Sequence, residues 1–133
     1  MKTFIVLSAF VLAVVLGATT KSSWNSVHQA CQAKPGVFVD DAIFEKLKRG
    51  EKVQLPANFG VHAHCMLEGF GIQNSQGAIQ QSGVKKAVQE SVSDASKVNQ
   101  IVSACSVSKG TKEATALEIF KCFGQNKIDI GQF

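Results

Sequence analysis

The sequence has no tyrosine, a single tryptophan and two prolines among its 133 residues, so nine phenylalanines supply most of its aromatic surface. Phenylalanine offers apolar area without a hydrogen-bonding group. Charge is scarce as well, because the net formal charge is only +4 and the lysines form no basic stripe between aromatic residues. This composition makes nucleic acid a poor candidate partner and favours recognition by apolar area and shape.

No apolar run is long enough to cross a bilayer, which takes about 20 residues. The run over residues 4–16 is shorter, is preceded by a basic residue and is followed by the small residues Gly17 and Ala18. This order is typical of a cleaved secretory signal peptide. The sequence therefore predicts a signal over residues 1–18 and a single secreted domain over residues 19–133.

Close cysteine pairs of the kind that bind zinc are also absent, since the intervals between the four cysteines hold 33, 39 and 16 residues. An even number of cysteines in a small exported domain instead indicates two disulfides, with three pairings open. The half-cystines are Cys31, Cys65, Cys105 and Cys122.

No residue pattern indicates catalysis, because a nucleophile-elbow motif is absent and the adjacent Asp40 and Asp41 are best explained as a helix cap. His62 and His64 stand two apart, and on a helix such residues point in different directions and cannot chelate one ion. We interpret both as partly exposed polar positions and His28 as a residue at the edge of the core. We therefore expect no enzymatic activity, no cofactor and no metal site. One hypothesis is that protonation of the three histidines loosens the third helix.

Apolar residues recur at helical spacing along nearly the whole of residues 19–133. Because short helices cannot stack into a long bundle, they must pack at steep angles around a central volume. The fold prediction is all-α, with about six short amphipathic helices that enclose an apolar cavity and are stapled by two disulfides. The helices are expected to begin near Ser22, Asp40, Pro56, Ile79, Asp94 and Thr111.

One segment resembles a known family. Residues 64–72 (HCMLEGFGI), followed by the turn at residues 74–77, resemble the middle of insect odorant-binding proteins of the pheromone-binding and general odorant-binding group. Six-cysteine members carry two further cysteines, at positions that match Val61 and Glu113 here. The chain is therefore similar to the four-cysteine, "minus-C" members of that group.

The resemblance implies the disulfides Cys31–Cys65 and Cys105–Cys122, which would tie the first helix to the third and the fifth to the sixth. It also implies that a third bridge is missing between the third and sixth helices. We expect that seam to be looser, with Glu113 turned outward in the first turn of the sixth helix, where its charge suits the helix dipole.

The resemblance further implies a secreted carrier that solubilises small hydrophobic ligands, namely odorants, pheromones or fatty-acid-like molecules, in sensillar lymph or haemolymph. Transient contact with an olfactory receptor or a membrane surface, and a monomer or weak homodimer, are further hypotheses. The alternatives are a haemolymph or gland-fluid lipid carrier of the same fold, a solid-cored disulfide domain that binds a protein, and an unrecognised hydrolase.

Candidate ligand-binding residues are apolar side chains on the inward faces of the expected helices, for each of which ordinary core packing is the alternative. They are Leu47, Leu55, Phe59, Met66, Leu67, Phe70, Val84, Val88, Leu117, Phe120 and Phe123. In the C-terminal tail, over residues 128–133, Ile130 and Phe133 are expected to fold over the cavity mouth, and a frayed terminus is the alternative.

Overall fold

The computed structural model describes residues 19–131 and shows an all-α fold for this part of the chain, as predicted. The helices are Thr20–Gln32 (α1), Asp41–Lys48 (α2), Phe59–Gly69 (α3), Gln81–Gln89 (α4), Ala95–Cys105 (α5) and Lys112–Gln125 (α6). None of these six is long and apolar enough to cross a membrane. The predicted signal peptide over residues 1–18 lies outside the described residues, and so does Phe133.

Side-chain caps fix the starts of four helices by accepting hydrogen bonds from backbone N–H groups that have no partner within the helix. Asp40 caps α2, Asp94 caps α5 and Thr111 caps α6, each at its predicted place. The first helix begins earlier than predicted, because Thr19 is its cap and forms a reciprocal capping box with Ser22.

The third helix begins three residues after its predicted start at Pro56. The Phe59 N–H donates to the Pro56 carbonyl, so the proline lies in a turn before the helix. Asn58 is at the N-cap position of this helix, but its side chain makes no capping hydrogen bond. Its side-chain amide instead donates to the carbonyls of Gly36 and Phe38, and so ties the start of α3 to the loop between α1 and α2.

The fourth helix begins two residues after its predicted start at Ile79. The Gln80 N–H donates to the Ile72 carbonyl at 2.8 Å, and Ile79 forms an isolated antiparallel bridge with Gln73. These residues therefore pair with the chain that follows α3, and the helical bonds begin only after them.

The third helix lies at the centre of the fold. Eight of its eleven residues are buried, which is typical of a helix that has neighbours on nearly every side. It packs against α1 and, more extensively than any other pair of the described helices, against α6. Further packing of α4 on α5 and of α5 on α6 completes the domain.

The helices α3 and α6 pack closely at the place where the resemblance implies a missing bridge. Gly60 has no side chain, and a Cβ there would lie 3.0 Å from the Cβ of Glu113, so the two helices meet closely at this point. Val61 instead points outward, with 37% of its surface exposed. Glu113 lies in the first turn of α6 as expected, but it is half-buried against α3.

Both disulfides form with the pairing that the family resemblance implies. Cys31–Cys65 joins α1 to α3, with Cα atoms 5.9 Å apart. Cys105–Cys122 joins α5 to α6, with Cα atoms 5.5 Å apart. The two bridges thus attach α1 and α5 to α3 and α6, the pair of helices that pack together most extensively in the described chain.

Candidate functional site

An apolar cavity of about 420 Å³ lies between α6, the start of α3, the end of α2 and the chain after α6. Its volume falls within the range of about 300–1,000 Å³ that is usual for small-molecule sites. The lining residues are Leu47, Leu55, Phe59, Leu117, Phe120, Lys121, Phe123, Gly124, Ile128 and Ile130.

The helix α6 supplies half of this lining, namely its residues at positions 117, 120, 121, 123 and 124. These positions share one face because each lies three or four residues from another of the set. Leu47 and Phe59 belong to a small apolar cluster around Phe44, whereas Phe120 and Phe123 belong to the main core. Leu117 packs against both clusters. The cavity therefore lies where the two clusters meet.

The chain after α6 forms one side of the cavity. Ile128 and Ile130 are each only 2% exposed. The Ile128 N–H donates to the Phe123 carbonyl at 2.9 Å, and the Asp129 N–H donates to the Ser91 hydroxyl at 2.9 Å. Residues 128–131 are thus packed rather than frayed.

An ion pair holds this segment to the first helix. The Lys21 ammonium lies 2.7 Å from a carboxylate oxygen of Asp129 and holds the pKa of that carboxyl below its ordinary value of 3.8. Gly131 then packs against Trp24, where a Cβ would come within 2.7 Å of the tryptophan side chain. The φ of Gly131 is 135°, in a region that side chains rarely allow.

Seven of the predicted ligand-binding residues lie around this cavity. They are Leu47, Leu55, Phe59, Leu117, Phe120, Phe123 and Ile130. Five others lie in or against the main core and do not line the cavity, namely Met66, Leu67, Phe70, Val84 and Val88. Helical periodicity marks burial, and it does not distinguish a buried face that meets other side chains from one that meets a cavity.

Sequence reasoning missed three lining residues, Lys121, Gly124 and Ile128. The available signal was the helical spacing, because Lys121 follows Leu117 by four positions and Gly124 follows it by seven. A pattern defined by apolar residues does not include a lysine or a glycine on this face. Ile128 has no helical period to reveal it.

His62 and His64 are buried, with 1% and 7% of their surfaces exposed, and the prediction that they are partly exposed is wrong. The reason is that α3 lies at the centre of the fold. Other parts of the chain cover both the face that carries His62 and the face that carries His64. His64 bonds through Nε2 to the Asn74 carbonyl at 3.0 Å. Within residues 19–131, no group of three or more histidine, cysteine or acidic residues could hold a metal ion.

Two histidines and a carboxylate form a continuous hydrogen-bonded chain beside Phe44. His62 Nδ1 lies 3.0 Å from the Val37 carbonyl, and its Nε2 lies 3.2 Å from His28 Nδ1. His28 Nε2 lies 3.0 Å from Asp41 Oδ1. Both ends of this chain are acceptors, so its three bonds need three protons, and two neutral imidazoles bring two. With both imidazoles neutral, one of the three contacts therefore lacks a proton.

This chain has a consequence for stability against pH. Burial lowers the pKa of His62 below its ordinary value of 6.5, although the bond to Val37 opposes the change. The bond from His28 lowers the pKa of Asp41 below 3.8. In both cases the unfolded chain binds protons more tightly than the folded one, so acid favours unfolding.

We expect the free energy of unfolding to fall as the pH drops below about 6.5, where the unfolded histidine begins to bind a proton that the folded His62 resists. The loss continues below about pH 4, where the unfolded aspartate is protonated first. Urea denaturation between pH 7.5 and 5 checks this in the wild type and in a His62→Gln variant. The variant should lose part of the slope, and an identical slope in both proteins would refute the role of His62.

Among models of known protein families, one matches most of the chain. The sequence model of the PBP/GOBP family matches residues 15–126, a span that includes all four cysteines and the six helices of the described residues. No curated protein and no solved structure matches the chain.

Proposed function

The chain belongs to the PBP/GOBP family, whose proteins are carriers of small hydrophobic ligands and not enzymes, and from this membership we propose a secreted carrier that works in an extracellular fluid. It would solubilise odorants, pheromones or fatty-acid-like molecules. Residues 1–18 would be removed as a signal peptide, leaving one domain over residues 19–133. Transient contact with a receptor or membrane, as a monomer or weak homodimer, is part of the same proposal.

The observation that carries this proposal is the cavity of about 420 Å³ with an almost wholly apolar lining. A ligand that buries about 300 Å² there would gain roughly 7 kcal/mol at about 25 cal/mol per Å². Association and ordering costs subtract several kcal/mol from this gain. Micromolar affinity with broad selectivity is the expected outcome.

We propose that the residues around this cavity are the ligand contacts. Seven of these residues are predicted from the sequence. The other three, Lys121, Gly124 and Ile128, are included because they line the same cavity. The five core residues are not carried into the proposal, since each packs against other side chains. Phe133, which is predicted to fold over the cavity mouth, lies outside the described residues and stays a prediction.

The proposal gives Ile130 a role in retaining the ligand. We expect Ile130→Ala to raise the dissociation rate of a bound apolar fluorophore roughly fivefold, through the loss of about 1 kcal/mol of contact. The cost in folding stability should be about 2 kcal/mol, low for such a change because one side of Ile130 already faces the cavity. Stopped-flow displacement measures the rate, and Val107→Ala, at an exposed residue outside the cavity, is the control. Equal rates in the two variants would remove Ile130 from the proposal.

The function is tested by titrating delipidated, oxidised protein with an environment-sensitive apolar fluorophore, followed by displacement with aliphatic and aromatic volatiles and fatty acids. Saturable one-to-one binding in the micromolar range, reversed by several of these compounds, supports the carrier. Absence of saturable binding to a folded sample with both disulfides would contradict it. That outcome would favour a domain that binds a protein partner.

A further inference from the structure

Lys121 is the single charged residue among those that line the cavity in the described part of the chain, and no other lining side chain carries a polar group. It follows Leu117 by one helical turn on the cavity face of α6 and is itself exposed to solvent. Leu55, another lining residue, is 42% exposed. These exposed residues mark the mouth of the cavity, where the Lys121 stem contributes apolar surface while the ammonium stays in water.

The ammonium of Lys121 has no hydrogen bond or ion pair with any residue in the described range, 19–131. Two other basic residues do form ion pairs: Lys21 is paired with Asp129, and Arg49 is paired with Glu51. Glu118 lies three positions before Lys121 on α6 but forms no ion pair with it. The cation at the mouth is therefore available to a ligand.

The lining also restricts where a ligand can place its polar end. Apart from Lys121, the side chains around the cavity are aliphatic or phenyl groups, with no hydroxyl, amide, carboxyl or imidazole among them. A polar group buried against such a wall loses its hydrogen bonds to water without replacement. An amphiphilic ligand must therefore keep its polar end at the mouth, beside Lys121.

We propose that Lys121 makes the cavity selective for aliphatic ligands that end in a carboxylate, with the chain inside the cavity and the carboxylate on the ammonium. This proposal rests on the carrier function proposed above and narrows its ligand class to fatty-acid-like molecules. A charge-assisted hydrogen bond favours the carboxylate over an ester or alcohol of the same chain length. The solvent at the mouth screens the pair and limits the preference.

The test compares decanoic acid with methyl decanoate as competitors of a neutral apolar fluorophore, at pH 8, where the acid is ionised. We expect the wild type to bind the acid about threefold more tightly than the ester, equivalent to about 0.7 kcal/mol, because the ion pair is exposed to solvent. Lys121→Met should abolish this preference, because methionine keeps an apolar stem but carries no charge to attract the carboxylate. Lys121→Arg should keep the preference.

Lys97→Met is the matched control, because Lys97 is exposed on α5 and does not line this cavity, and the substitution removes the same charge. Its preference for the acid should equal that of the wild type. Equal affinities of the wild type for acid and ester, or a preference that survives Lys121→Met, would overturn the proposal while leaving the carrier function intact. Failure of the neutral fluorophore to bind the wild type would overturn the carrier function itself. Urea denaturation shows that Lys121→Met is folded, and the ratio of acid affinity to ester affinity is the quantity compared between variants.

Discussion

Leu117→Trp is expected to weaken binding of an apolar fluorophore roughly thirtyfold, equivalent to about 2 kcal/mol. Leu117 is the residue that packs against both apolar clusters, and it lines the cavity between them. A tryptophan there would occupy space that the ligand needs. Overpacking a filled core lowers the free energy of unfolding by about 1–3 kcal/mol. The loss should be smaller here, because the added ring can enter the cavity.

A titration with the fluorophore measures the change, and urea denaturation shows that the variant is folded. Val107→Trp is the control, because Val107 is 44% exposed and does not line the cavity. Its Kd should match that of the wild type. A folded Leu117→Trp protein with wild-type affinity would place the ligand elsewhere.

Removing the Cys31–Cys65 disulfide by a double substitution to alanine is expected to lower the free energy of unfolding by about 4 kcal/mol. The bond spans a sequence separation of 34, and the chain-entropy estimate for a loop of this size is about 3.8 kcal/mol. This is a large part of the roughly 5–15 kcal/mol that stabilises a typical domain. The same loop contains Leu47, Leu55 and Phe59, so one wall of the cavity should loosen with it.

The second disulfide provides an internal comparison. Cys105–Cys122 spans a separation of 17, for which the same estimate is about 3.1 kcal/mol. Urea denaturation of both double variants should therefore rank the loss of Cys31–Cys65 as the larger. Its loss should also weaken ligand binding more, because the lining residues within the second loop lie on α6, which is held independently by its packing on α3. If either double variant lost less than about 1 kcal/mol of unfolding free energy, or if the loss of Cys105–Cys122 proved the larger, the prediction would be contradicted.

Local features of the fold could be predicted from the sequence. Asp40, Asp94 and Thr111 cap the helices that follow them because a cap depends on only a few neighbouring residues. The burial of His62 and His64 could not be predicted in this way. Their burial depends on elements that are distant in the sequence and cover α3 on both sides. The periodicity of the helix itself does not indicate such elements.

The candidate site could be predicted only in part, because the sequence pattern indicates which residues are buried but not which of them line a cavity. Phe120 and Met66 have similar apolar patterns in the sequence, but one lines the cavity and the other is wholly enclosed by core side chains. The difference arises where two apolar clusters fail to meet completely, which is a property of the packed molecule. Lys121 was missed because its proposed role depends on a position at the mouth, and charge alone gives no sign of that position.

The most direct test of the proposed cavity is a crystal structure of the protein grown with an aliphatic ligand that carries bromine at the end of its chain. Anomalous scattering then locates the bromine independently of the fitted ligand. We expect one strong peak inside the cavity, enclosed by Leu117, Phe123 and Ile130. Bromine found only on the surface, with the cavity free of ligand density at saturating concentration, would contradict the carrier function proposed for this cavity.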